Sequence, residues 1–345
     1  MAFHQIVQRL ILLGADLGAS GFSEPEAPPA RLRELIDSLA SARHEFDAHA
    51  IRYGHRYRSG FWAIYLLSAL AVLCAMMPIC LGWDNVSSFM HPFAAAWVIA
   101  EIVVIGSVAI LYWRGHRRDW QGQWLRTRTI AEFISYLPLV APLVDWSRPA
   151  AGSNWYMRAM PVDSPQAATP EIVALCAANE SRAHALLADA ASDPAFVQAY
   201  GSWAISVLQS QLNYHARLAR RSHLLQHRIH RLTATLFTLT ALAALMHLLI
   251  HSRWLSLMTT FSPALAAALH GALAQSEAYR LEASSEAVTR RLDTDIRDLK
   301  RALQDASRPV RLEHVRAPIE SALGAILQEH QDWYMLVQPH HLPLG

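Results

Sequence analysis

Four stretches of the chain are apolar all round rather than on one side. Phe61 to Trp83 is 23 residues without a charge. A helix of that length is roughly 34 Å long, enough to cross a hydrocarbon layer of about 30 Å. Pro78 lies near its far end and predicts a kink there. Phe93 to Trp113 is the second run and carries one charge, Glu101. Leu232 to Ile250 is the third, with His247 near its end, and Trp254 to Ala274 is the fourth, with Pro263 and His270 inside. Trp62, Trp83, Trp113 and Trp254 mark the ends of these runs. Amphipathic indoles favour the headgroup layer there.

Between the runs the pattern is helical and one-sided. From Arg31 to about Gly60 it feeds the first run without a break. After the second run the helix is predicted to continue to about Ser135 and to break near Pro138 and Pro142. Asp145 to Pro170, with Pro149, Pro161 and Pro165, reads as a loop. Thr169-Pro170-Glu171 is a helix start, with Thr as the cap and Pro in the first turn. Ser192-Asp193-Pro194 repeats that logic and opens a long helix through Arg231 into the third run. Glu277 to about Ala306 is predicted to continue the fourth run, and a last helix covers about Pro318 to Gln338. At the start of the chain, Ile6, Val7, Leu10, Leu13 and Leu17 share one face of a short amphipathic helix. Packing on a cytoplasmic domain is its first reading and a membrane-surface anchor its second. Arg9 and Asp16 interrupt the apolar positions, so no signal peptide is expected.

These elements divide the chain into five parts. Residues 1–30 are an amphipathic segment and a linker with Pro25, Pro28 and Pro29. Residues 31–135 hold a cytoplasmic helix, two spans (about 61–83 and 93–113) and an exit helix. Residues 136–193 are a loop and a helix. Residues 194–306 hold a long helix, two more spans (about 232–250 and 254–274) and an exit helix, and residues 307–345 a helix and tail. The expected fold is an all-α membrane protein: two transmembrane helical hairpins with long helices extending into a cytoplasmic helical bundle. Ser68-Ala-Leu-Ala-Val-Leu73 lines up with Thr240-Ala-Leu-Ala-Ala-Leu245, a loose internal repeat that duplication or chance could give.

Composition agrees. The chain is 53% apolar and only 17% charged, with a mean hydropathy of +0.15, against about a quarter charged in ordinary globular chains. Arginines flank the runs asymmetrically, sixteen on the side of the termini and one, Arg253, on the other. This bias places both termini in the cytoplasm, and the alanine- and arginine-rich composition suits a bacterial protein, so the expected location is the inner membrane. A net charge of +2 does not suggest a nucleic-acid partner, and Cys74, Cys80 and Cys176 form neither a disulfide scaffold nor a zinc spacing.

Candidate chemistry is sparse. Glu101, near the middle of a span, costs about 2.5–3.5 kcal/mol on insertion scales unless it is protonated, paired or wetted. It reads as an ion-path residue, or as a glutamic acid bonded to a hydroxyl such as Ser68 or Thr240, or as a helix–helix clamp. His247 and His270 are further polar positions within spans. His223, His227 and His230 share a helix face, but Leu224 replaces the acid of a zinc-protease motif and no acid is near in sequence. A hydrated basic face is the reading preferred to a metal site. Trp124, Arg128 and Glu132 follow the second span at helical spacing, as a structural clamp or as a joint that transmits motion. There is no glycine-rich phosphate loop, no GxSxG elbow and one lysine, Lys300. The sequence points to no enzyme and no cofactor.

Trp124-x3-Arg128-x2-Ala131-Glu132 resembles the post-membrane signature of SLATT domains, the transmembrane effector domains associated with SMODS and SLOG proteins. Trp203…Gln211-x2-Tyr214-His215 is similar to the motif before their second hairpin. Pro263-Ala264…Gly271…Gln275-x-Glu277…Arg280 resembles their final span, and Glu329-x2-Asp332-Trp333 with Leu342-Pro343 their C-terminal end. The resemblance covers roughly residues 45 to 345. The first 45 residues cannot hold the nucleotide-binding domain that four-span members often carry, and Ser135 stands where a second arginine is expected. The resemblance implies an oligomeric, pore-forming or membrane-permeabilising effector of bacterial defence. It would be gated by a nucleotide signal or by a separate nucleotide-sensing or nucleotide-synthesising partner protein. Two alternatives stay open: a membrane-anchored adaptor for a cytoplasmic partner, and a small secondary transporter.

Overall fold

A computed structural model describes residues 2–15, 25–84, 91–146, 155–158, 169–304 and 309–337 of the chain. It is 89% helix and has no strand among the described residues. In order the helices are α1 (Phe3–Ile11), α2 (Ala30–Leu81), α3 (His91–Arg117), α4 (Trp120–Val140), α5 (Pro170–Leu187), α6 (Pro194–His247), α7 (Arg253–Gln275), α8 (Ala278–Gln304) and α9 (Leu312–Val337). Four helical stretches are long and apolar enough to cross a membrane: α2, α3, α6 and the segment formed by α7 with α8.

The two helices that lead into apolar runs are unbroken, 52 residues in α2 and 54 in α6. Asp193 opens α6 as the sequence predicts, its Oδ1 accepting from the amides of Ala195 (3.0 Å) and Phe196 (3.3 Å). Pro170 opens α5 as expected, but Thr169 makes no side-chain cap; Glu171 instead pairs with Arg126 of α4.

The helices that leave the apolar runs differ from expectation. The helix does not continue from span two to Ser135, because α3 stops at Arg117 and α4 starts at Trp120. Nor does α7 run on into α8. Each break holds an acidic residue with left-handed backbone, Asp119 at φ 42° and Glu277 at φ 55°, which no α-helix accommodates. Pro138 lies inside α4, which ends at Val140, and Pro318 lies inside α9, which starts at Leu312. The proline-rich loop is not wholly loop, since Trp155–Arg158 is a turn of 3-10 helix.

The chain divides into two compact units. The first comprises Met1–Asp16, Tyr53–Gln121 and Arg220–Glu282, and the second Leu17–Arg52, Gly122–Ala219 and Ala283–Gly345. In the first, α2 and α7 run antiparallel. Tyr57 accepts from Gln275 (2.9 Å), Tyr65 abuts Gly271, and Cys80 donates its thiol to the Arg253 carbonyl (3.3 Å). Three pairs at rising positions in α2 and falling positions in α7 fix that direction. Gly82, at φ 72°, ends α2 in a conformation that favours glycine. Trp120 lies against both Gly60 of α2 and Gly115 of α3. The core of this unit is small: Leu12, Phe61, Trp62, Leu225, Ile229, Leu269 and Leu273 with their neighbours.

The second unit has the larger core. Leu32, Leu35 and Leu39 of α2 meet Ile130, Ile134 and Leu137 of α4, Val197 and Leu208 of α6, Leu292 and Leu299 of α8, and Ile319 and Leu323 of α9. Their spacings of three, four, seven and eleven residues line one face of each helix. Trp155 and Tyr156 are fully buried here, and the Trp155 indole donates to the Cys176 carbonyl of α5 (2.9 Å). Each such aliphatic side chain contributes about 1.5–3 kcal/mol by leaving water.

Candidate functional site

Glu101 belongs to the first unit and sits on α3, of whose most apolar residues none is buried. The exposure is nevertheless one-sided. Val98, Ile99, Ile102, Val103, Ile105 and Ile110 are exposed, whereas Ala94, Trp97, Ala100, Glu101, Val104, Val108 and Leu111 are half-buried. Ala94, Trp97, Glu101, Val104, Val108 and Leu111 recur every three or four residues and form one stripe, with Ala100 beside it. Glu101 is therefore on the sheltered side of its helix. Neither hydroxyl expected to meet it does so. Ser68 donates to the Ile64 carbonyl (2.9 Å) and Thr240 to the Leu236 carbonyl (2.8 Å), each within its own helix. Among the described residues Glu101 makes no hydrogen bond or ion pair.

The other polar positions of the apolar runs lie apart from one another in kind. His247 has a buried Nδ1 without a hydrogen-bond partner among the described residues, and its ring lies 5.7 Å from that of His251. His270 is exposed on α7, with its ring 5.6 Å from that of His230. The face of His223, His227 and His230 does meet an acid, contrary to the expectation from sequence neighbours. Glu282 of α8 takes a hydrogen bond at 2.8 Å from His223 Nδ1 and one at 2.7 Å from Gln226. Folding brings together residues 59 positions apart. Among the described residues no group of three metal-ligating side chains converges.

In the second unit the residues singled out by motif gather in one place. Arg128 pairs with Glu132 one turn along α4, as their spacing predicts. Burial pulls the Arg128 guanidinium down, and Glu132, Tyr214, Tyr136 and Asp47 more than offset it, so its proton is held more firmly than usual. Tyr136, a turn further on, is fully enclosed, and burial with the Glu132 charge pushes its hydroxyl well up. On α6, His215 is 3% exposed, with Nδ1 at 3.5 Å from Ser285 of α8 and at 4.0 Å from Glu329 of α9. Burial pushes the Glu329 carboxyl up to about 7. A hydrogen bond from Ser284 opposes this, Glu132 adds to it, Arg128 opposes it and Asp332 adds to it. Sequence reading named Glu329 only as part of a motif and missed Ser284 and Ser285, since nothing local marks a serine as the lining of a polar site. Trp124 is buried on α4, Gln211 half-buried and Tyr214 exposed on α6. The side chain of Trp333 lies outside the described residues, as does Leu17.

This cluster joins helices α4, α6, α8 and α9 through His215, Ser285 and the charges of Arg128, Glu132 and Glu329. No family model, no curated protein and no solved structure matches the chain.

Proposed function

We propose that this chain is an oligomeric membrane effector of the bacterial inner membrane. Two transmembrane hairpins, α2 with α3 and α6 with α7, hold a helical bundle on the cytoplasmic side, where both termini lie. Several copies together make an ion-permeable path, opened by a nucleotide signal or by a partner protein in a defence system. Glu101 carries the reading. A carboxylate on the sheltered stripe of an apolar helix, with no partner among the described residues, costs about 2.5–3.5 kcal/mol in the bilayer. Water or a neighbouring copy removes that cost. A protomer with four spans has little room for a wide path of its own, so oligomers are required. The arginine asymmetry supports the orientation, and the SLATT resemblance supports the signal and the setting.

The test is membrane potential, followed with a voltage-sensitive dye in cells expressing wild type or Glu101→Gln, with and without the neighbouring genes. Depolarisation that needs both Glu101 and a neighbour is the expected result. An intact potential in every combination, with expression confirmed, transfers the reading to an adaptor that anchors a cytoplasmic partner. Purified protein that stays monomeric under every signal also counts against the effector.

A further inference from the structure

Helix α1 has two faces with different fates. Phe3, Ile6, Leu10 and Leu13 are 43%, 45%, 66% and 75% exposed. Phe3, Ile6 and Leu10, three and four residues apart, share one stripe of α1, and Leu13 follows in the turn beyond its end. The opposite face is docked. His4 is 3% exposed, with Nδ1 at 3.1 Å from Ser59 and its ring 5.4 Å from that of His55. Gln8 accepts from Arg221 at 2.7 Å. Arg228 donates to the carbonyls of Ile11 (2.9 Å) and Leu13 (2.7 Å), which satisfies the orphan acceptors at the end of the helix. Leu12 joins the core of Phe61, Trp62, Leu225 and Ile229.

These anchors set the height of α1 along the apolar runs. Ser59 stands just before Phe61, where the first run starts, and Arg228 one turn before Leu232, where the third starts. Ser59 and Arg228 are within about 6 Å of those starts at 1.5 Å per residue, and Arg221, whose long side chain reaches Gln8, is about 16 Å before the third. Arg9, Arg56, Arg58, Arg220 and Arg231 are exposed in the same segments, as suits anionic headgroups. The apolar stripe is thus continuous in height with the exposed apolar side chains of the runs.

We infer that α1 is an interfacial helix, lying in the headgroup layer with the Phe3–Ile6–Leu10–Leu13 stripe turned to the acyl chains of the lipid. The inference rests on the reading of α2, α3, α6 and α7 as membrane spans. It departs from the first sequence expectation, which packed this helix on a cytoplasmic domain; α1 belongs instead to the unit that holds the apolar runs.

The experiment places one spin label at a time on Leu10→Cys, Leu13→Cys, Ile102→Cys of α3 and Arg290→Cys of α8. The three native cysteines are buried, and labelling stoichiometry checks that they stay unreacted. The full chain is reconstituted in phosphatidylethanolamine vesicles containing phosphatidylglycerol. Power saturation then compares molecular oxygen, which concentrates in lipid, with a water-soluble nickel chelate. Labels at Leu10 and Leu13 should favour oxygen, at a depth of about 5–10 Å, with Ile102 also on the lipid side and Arg290 on the water side. Chelate access at Leu10 and Leu13 with Ile102 still in lipid overturns the inference and leaves the spans standing. Spin–spin broadening between Leu10 labels of different copies overturns it too, by placing a second chain on the stripe. Chelate access at Ile102 removes the spans and the inference with them. A labelled chain that loses its helical signal is replaced by one labelled at Phe3 or Ile6, on the same stripe.

Discussion

Asp119 and Glu277 hold backbone that side chains rarely adopt, at a cost of about 1–2 kcal/mol each. Replacing either with glycine should therefore raise stability or leave it level, despite the added entropy of the unfolded chain. Replacing either with valine should lower it, because a branched Cβ crowds the left-handed conformation further. Chemical denaturation in detergent micelles checks both signs. Gly271 is the converse case. A Cβ there would collide with the edge of the Tyr65 ring, so Gly271→Ala should cost about 1–3 kcal/mol, read in the same way. Glu329 adds a proton dependence. Its carboxyl is pushed from 4.5 up to about 7 by burial, so the folded state holds a proton that the unfolded chain releases. Its contribution to stability is complete below pH 4.5 and disappears as pH rises through about 7. Glu329→Gln should flatten stability across that window and stabilise the protein above it. A steeper profile in the variant would show that another group governs.

At the scale of elements, α1 responds to acid in the opposite sense. His4 is held down to about 4 by burial first, then by the charges of Arg58, His55 and Arg221. His55 is itself lowered by burial, by Arg58 and by the N-terminal amine. A neutral His4 is therefore part of the docked helix. Docking is at full strength above the ordinary histidine value of 6.5 and weakens as pH falls towards 4. Hydrogen exchange at the α1 amides should accelerate over that interval, and His4→Gln should remove the acceleration. The docking itself was not legible in the sequence, because the hydrogen-bond partners of α1 lie 55 to 217 residues away. Its apolar stripe was legible in part, since a face is local: Ile6, Leu10 and Leu13 were on it, but Phe3 was not, and Val7 packs against the core instead. The same contrast holds for α3. Its apolar run is plain from composition, but a helix apolar all round gives no sign of which side is sheltered, so the place of Glu101 on that side needed the fold. The breaks at Asp119 and Glu277 were also missed. Neither is glycine, and nothing near them in sequence stops a helix.

For the whole molecule, helix was legible apart from the short turn at Trp155–Arg158, because the periodicities and the apolar runs are long. The Thr-Pro and Asp-Pro signals gave the starts of α5 and α6 to the residue, although only Asp193 makes a side-chain cap. The second unit was harder: Arg128 with Glu132 is a local pair that spacing reveals, whereas His215, Ser285 and Glu329 come from three helices. Both apolar helix pairs share one layout. An unbroken helix leads in, and a left-handed acidic residue parts the helix that leads out. That shared joint bears on ancestry in a way the Ala/Leu alignment alone could not. Alanine and leucine recur by chance in any lipid-soluble helix, but two acids in a disfavoured conformation at matching places are a poorer candidate for coincidence. If the halves descend from one shorter gene, its product had a single pair of apolar helices and needed a second copy of itself to complete what this chain now carries in one piece.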